Sequence, residues 1–288
     1  VRSFKTYIKE DSEVLLEKLI TFGGKAYPKF GNVVILAGGA GSGKGFVQDT
    51  LFGIEGKKFD VDELKKLAAQ SSTIQKKVKS QFGVDILDLS KRLNDPENTS
   101  KLHMIIGDAL SLPNKSQQAF FASVMTASSE RKPNIIFDVT LKDMRMLANL
   151  TQQVQAIGYE KKNIHIVWVV NDVEVAKKQN LDPKRGRVVP QEILINTHKG
   201  ASHTMQDIVK MGSGINRYMD GDIVFAFNKI GVDSEIVKSG KGGQYVVDAN
   251  YFYLKRAGKS IIPAKQLDVD MLTKIKSYVP KNVDWINI

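Results

Sequence analysis

Short apolar runs rich in β-branched residues recur along the chain, and stretches of helical periodicity lie between them. Lys57–Phe59 reads as a short second strand, and the apolar runs cover residues 32–37, 134–138, 163–170 and 222–227. They are continuous rather than alternating, which predicts strands buried on both faces, as in a parallel sheet. Apolar positions at helical spacing predict helices over 14–20, 46–52, 144–157 and 174–179, with a further helix opened by Val189-Pro190-Gln191-Glu192. Residues 62–126 read as mostly helical, broken near Asn94-Asp95-Pro96. Gly23-Gly24 should end the first helix. After about residue 231 the pattern changes to short strand-like runs at 235–237, 244–247 and 251–254, with Gly240-Lys241-Gly242-Gly243 as a turn between the first two. A last helix is expected near 271–278.

The first buried run leads straight into Gly38-Gly39-Ala40-Gly41-Ser42-Gly43-Lys44-Gly45-Phe46. Gly38, Gly43 and Lys44 satisfy the G-x-x-x-x-G-K part of the P-loop pattern. Glycines allow successive backbone N–H groups to turn inward on phosphate oxygens, and the following helix points its N-terminus at the same anion. Lys44 would reach the β- and γ-phosphates of ATP or GTP. The expected fold is therefore α/β: a P-loop NTPase-type parallel sheet with helices on both faces, plus a small antiparallel C-terminal appendage. The expected divisions are an N-terminal helical segment (1–30), a core domain (31–230) and the appendage with its terminal helix (231–288). Within the core domain we expect a helical insertion at about 65–126 and a lid at about 177–212.

The pattern normally continues with Ser or Thr, whose hydroxyl touches Mg²⁺. Here the position is Gly45. The string Gly-Ser-Gly-Lys-Gly looks like that of nucleoside monophosphate kinases, which then carry Thr where this chain has Phe46. Metal contact is expected instead through water from another acid, Asp138, at the end of the apolar run 134–138. A second acidic site, Asp60-Val61-Asp62-Glu63-Leu64-Lys65, ends the second strand, where ligands of open parallel sheets collect. One of its aspartates can cap the next helix while the other takes a hydroxyl proton, and Asp62 is the expected base. Arg185 and Arg187 flank Gly186 in a basic loop suited to phosphates.

Strand, G-x-x-G-x-G-K loop and Asp-x-Asp before a helix together resemble the zeta-toxin-like kinases. Two later segments agree: residues 134–141, an apolar strand ending in acid-x-Thr (Asp138, Thr140), and Arg187-Val188-Val189-Pro190-Gln191-Glu192, similar to the family's lid segment. The resemblance spans about residues 32–227. It implies a kinase in which Lys44 binds phosphate, Asp62 is the acceptor base and Asp138 is a magnesium or water contact. It further implies that Thr140 meets substrate and that Arg187 is a lid cation. Asp60 and Lys65 join the expected acceptor site. Family members phosphorylate small acceptors such as nucleotide-activated amino sugars. Related P-loop kinases act on nucleic-acid ends or modified bases.

Composition narrows the classes. Cysteine is absent, which excludes disulfides, thiolate metal sites and thiol nucleophiles. The formal net charge of +11 favours anionic partners, so the acceptor is expected to be an anionic small molecule or a nucleic acid. A nucleotide-binding module without catalysis is the remaining alternative. No apolar run reaches spanning length, so a cytoplasmic protein without a membrane partner is expected. His198 and His203 are five apart and off a common helical face, which argues against a metal pair. Trp168 lies inside an apolar run and is expected in the core. Tyr245, Tyr251, Phe252 and Tyr253 suit sheet packing, with stacking on bases as the other use.

Overall fold

The computed structural model describes residues 30–51, 56–128, 131–227, 251–263, 267 and 269–281, together with four short strands. These strands are β1 (Thr21–Phe22), β2 (Lys25–Ala26), β8 (Ile236–Lys238) and β9 (Gln244–Val246). The helix expected over 14–20 lies outside the described residues, as do Gly23-Gly24.

The main sheet is built from β3 (Val33–Ala37), β4 (Lys57–Asp60), β5 (Ile135–Asp138), β6 (Ile164–Val170), β7 (Ile223–Phe227) and β10 (Tyr251–Lys255). Its order is β10-β7-β6-β3-β5-β4. The strands β3 to β7 are all parallel, with β3 at the centre between β5 and β6. Alternate side chains of β3 feed two separate cores. Val33, Ile35 and Ala37 join the larger core, which includes Phe137, Trp168, Phe225 and Met205. Val34 and Leu36 face the smaller one, with Val47, Val167 and Val224. Both faces are apolar and covered, which explains why the runs do not alternate in sequence. Trp168 is in the core as expected, edge-on to Phe225 with ring centroids 4.7 Å apart.

The expected antiparallel pairing at the C-terminal end is present, in two places. Tyr251–Lys255 pairs antiparallel with Ile223–Phe227 and so forms an edge of the main sheet. Its Leu254 is buried, and Phe252 stands edge-on to Phe225 at 4.8 Å. The strands β8 and β9 form a separate antiparallel pair.

The helices that bear on the site are α1 (Lys44–Leu51), α2 (Val61–Gln70), α3 (Ser72–Phe82), α4 (Ile86–Lys91), α5 (Pro96–His103) and α6 (Leu112–Met125). A single π-helical segment, Met104–Ala109, joins α5 to the turn before α6. The starts of α2, α4 and α5 are capped by Asp60, Asp85 and Asp95, whose carboxylates accept backbone N–H bonds that would otherwise be orphaned. This helical stretch holds a core of its own, including Ala69, Val78, Ile86, Leu102 and Ile106. The remaining helices are α7 (Met144–Ala156), α8 (Val173–Asn180), α9 (Gln191–Met211) and α10 (Val269–Tyr278). The second half of the expected lid is core: Ala201, Met205, Ile208 and Val209 of α9 are buried. Within the expected lid, Gln179, Asp182, Arg185, Gly186, Arg187, Ile193 and Thr197 face the cleft. Among the described residues, no helix is long and apolar enough to cross a membrane.

Candidate active site

The carboxyl end of β3 turns at Gly38, where only glycine fits. Its φ is +151°, and a Cβ there would stand 2.7 Å from both the Ser42 hydroxyl and the Val169 carbonyl. The Gly38 N–H donates to the Thr140 carbonyl at 3.3 Å, which ties the loop to the segment after β5. Gly41 and Gly43 also have positive φ, 76° and 84°. The Val47 N–H donates to the Gly43 carbonyl at 3.0 Å and starts α1. Lys44 folds back across this turn. Its ammonium donates to the Gly38 and Gly39 carbonyls at 3.0 and 3.3 Å and lies 3.7 Å from Asp138 Oδ1. Burial pulls the Lys44 ammonium below the usual lysine range; Asp138 and Asp62 oppose this, and Arg187 adds to it. Gly45 is exposed with open space where a side chain would be. The Phe46 side chain lies outside the described residues.

The two aspartates after β4 divide their work. Asp60 is the cap: Oδ1 accepts from the Asp62 N–H at 2.8 Å and the Glu63 N–H at 3.4 Å. The Asp62 carboxylate is left to face the cleft, where Oδ1 meets Arg187 Nη1 at 2.6 Å and Lys65 Nζ at 3.0 Å. Burial alone would raise its pKa, but the hydrogen bond and charge of Arg187, with Lys65 in support, hold it well below the usual carboxylate range. Asp138, in register with Asp60 on the next strand, behaves oppositely. Burial raises it, the nearby Asp60 and Asp62 charges add to that, and Lys44 and Lys58 work against it. Lys58, which sequence reasoning missed, bridges Asp60 Oδ2 at 3.1 Å and Asp138 Oδ2 at 3.6 Å.

The basic loop is held in place by its neighbours. Asn180, at the end of α8, donates to the Val189 carbonyl at 2.7 Å and accepts from the Val189 N–H at 3.0 Å. The Val188 N–H donates to the Leu93 carbonyl at 2.7 Å, which bridges the loop to the helical stretch across the cleft. Between these anchors Arg187 reaches Asp62. Burial lowers its pKa, but the Asp62 hydrogen bond and charge outweigh that and raise it. Arg185 sits beside the glycine loop: a Cβ on Gly41 would be 3.4 Å from its Nη1. Burial and the Arg187 charge lower the Arg185 pKa.

Lys44, Asp60, Asp62, Lys65, Asp138, Thr140, Arg185 and Arg187 all line one cleft of about 1490 Å³, and so does the glycine loop from Ala40 to Gly45. Lys91, His103 and Lys142 line it too, from segments that carry no recognisable motif. Thr197 and His198 of α9 support the loop from behind. The Ala40 N–H donates to Thr197 Oγ1 at 3.0 Å, and His198 Nε2 lies 2.8 Å from the Ala40 carbonyl. The sequence offers His198 only as a rejected metal partner. Among the described residues, no group of three or more His, Asp or Glu is arranged to hold a metal ion by itself. Asp138, beside Lys44 in the cleft, is a carboxylate of the kind that could hold a metal arriving with phosphate ligands.

Residues 107–217 match the family model described as zeta toxin. That stretch carries Asp138, Thr140, Arg185 and Arg187; the glycine loop and Asp62 lie outside it. Three solved structures are similar in part. One is from the PezAT chromosomal toxin–antitoxin system of Streptococcus pneumoniae: 16% identity, 78% of this chain and 78% of that chain covered, TM-score 0.41. The second is AvrRxo1-ORF1:-ORF2 with ATP: 11% identity, 87% and 72% covered, TM-score 0.46. The third is AvrRxo1-ORF1:AvrRxo1-ORF2 with sulphate ions: 11% identity, 96% and 80% covered, TM-score 0.41. No curated protein matches by sequence. Over residues 107–217, the stretch that brings Asp138, Thr140 and the two arginines to the cleft, the chain is zeta-toxin-like.

Proposed function

We propose that the chain is a P-loop phosphotransferase that moves the γ-phosphoryl group of ATP or GTP to a hydroxyl of a small, nucleotide-sugar-like acceptor. One observation carries the reading: a phosphate-type loop with its lysine, an ionised aspartate, a second acid and two arginines converge on a single cleft. The zeta-toxin match supports the kinase part.

The residues divide the chemistry as follows. Loop amides from Gly41 to Lys44 and the start of α1 hold the phosphate tail, and the Lys44 ammonium offsets its charge. Asp138 would hold a magnesium ion brought by the nucleotide, and that ion would supply neutralisation of phosphate charge. Asp62 accepts the proton of the acceptor hydroxyl as that oxygen bonds to phosphorus and the bond to the β-phosphate oxygen breaks. A carboxylate held as low as Asp62 is a weak base while Arg187 grips it. Transfer of Arg187 from Asp62 to the phosphate restores basicity to the aspartate and brings a fork of donors to the transferring group.

The small acceptor is favoured by the cleft's rim. The Val188–Leu93 hydrogen bond joins the basic loop to the helical stretch, which suits an enclosed acceptor better than a polymer. A single ligand pocket is typically about 300–1,000 Å³, so about 1490 Å³ leaves room for a second molecule beside the nucleotide. The test incubates the protein with γ-labelled ATP or GTP and Mg²⁺, adding nucleotide sugars to one sample and DNA with free 5′ ends to another. Label in the sugars is expected. Label confined to DNA would overturn the acceptor assignment, and nucleotide binding without transfer to any acceptor would favour a non-catalytic module.

A further inference from the structure

We propose that His198, with Thr197, is a positioning residue that sets the phosphate loop by fixing both polar groups of Ala40. This rests on the nucleotide-binding reading above. Ala40 sits at the tip of the loop, just before the run of glycines that must turn inward. Its N–H is taken by Thr197 Oγ1 at 3.0 Å. That hydroxyl spends its own proton on the Leu194 carbonyl at 2.7 Å, so toward Ala40 it acts only as an acceptor. The Ala40 carbonyl faces His198 Nε2 at 2.8 Å. A carbonyl can only accept, so Nε2 carries the proton.

The ring also bears on the loop sterically. A Cβ on Gly39 would stand 2.2 Å from His198 Cδ2 and 2.3 Å from its Cγ. No contact that short survives, so the ring and the Gly39 backbone are packed as a unit. His198 is buried and its Nε2 is held by the Ala40 carbonyl, which leaves the ring little freedom to yield. Burial also holds the imidazole below its ordinary pKa, so it donates without adding a cation next to Lys44.

The placement has a further consequence. The helix that carries Thr197 and His198 begins at Gln191, directly after the loop that carries Arg185 and Arg187. One rigid element therefore registers the arginines against the phosphate amides. His198 touches neither phosphate nor acceptor in this arrangement; it acts through Ala40 and Gly39.

The test is the dissociation constant for ATP with Mg²⁺ by calorimetry, read beside the thermal midpoint of each variant. His198→Leu keeps the bulk and removes the donor, and should weaken binding about tenfold or more. His198→Gln restores a donor at the same reach and should recover most of that loss. Gly39→Ala should weaken binding similarly in the parent but add little in a His198→Ala background, because the ring it strikes is gone. A purely structural role would lower the midpoints and leave the dissociation constants equal. Folded His198→Leu with ATP affinity within about twofold of the parent would overturn the proposal. If that variant does not fold, Thr197→Val decides the matter by the same comparison. Failure of the parent itself to bind ATP would instead overturn the nucleotide-binding reading.

Discussion

Asp62 and Lys44 were both legible as single letters in the sequence, but their surroundings were not. The Asp-x-Asp pattern places two acids at a strand end without saying which is the cap; the hydrogen bonds assign that task to Asp60. Asp62→Asn should lower turnover about 10²–10⁴-fold, the range for a positioned general base, with ATP affinity nearly unchanged. Steady-state rates beside calorimetry check this, and full turnover in the variant would remove Asp62 from the mechanism. If the proposed function holds, Lys44→Ala removes the charge that offsets the phosphate tail and should cost about 10²–10³ in turnover. The Asp62 pKa also makes a stability statement. A carboxyl held below its unfolded value stabilises the fold above pH about 4, and that contribution fades as pH falls toward the lowered folded value. The thermal midpoints of the parent and Asp62→Asn should therefore differ most near neutrality and converge on acidification. A gap that widens toward acid would contradict the Asp62–Arg187 pairing. The roles of Thr197 and His198 escaped sequence reasoning because their partner in the loop lies far away along the chain: His198 meets Ala40 at a separation of 158 positions.

The strands β3, β5, β6 and β7 were readable because burial on both faces demands unbroken apolar runs. The edge strand β10 was misplaced for the converse reason. Tyr251-Phe252-Tyr253-Leu254 is compatible with any half-buried sheet, and nothing local says that its partner is β7 rather than a neighbouring hairpin. The sequence after Pro190 continues without a break, and only packing shows that the second half of α9 joins the main core. The helical stretch was legible as helices but not as a unit with its own core. Two substitutions separate those levels. Asp60→Ala removes the α2 cap and should cost about 1 kcal/mol. Ile106→Ala empties a fully buried site in the stretch's core and should cost about 2–5 kcal/mol. Denaturant melts measure both; equal small losses would mean that the stretch lacks a packed interior.

At the scale of the whole molecule, charge and shape select different properties. The excess of 42 Lys and Arg over 31 Asp and Glu draws anions to the surface but does not choose among them. The bridged rim of the cleft is what argues for a small acceptor, and pattern reading cannot see a Val188–Leu93 hydrogen bond. The account as a whole depends on the cleft holding a nucleoside triphosphate. The most direct measurement is titration of ATP and GTP with Mg²⁺ into the purified protein, repeated with Gly38→Ala, whose Cβ has no room beside Val169 and Ser42. We expect saturable one-to-one binding by the parent, lost in Gly38→Ala with the fold intact. Absence of heat with either nucleotide at millimolar concentration, or equal binding by Gly38→Ala, would contradict it.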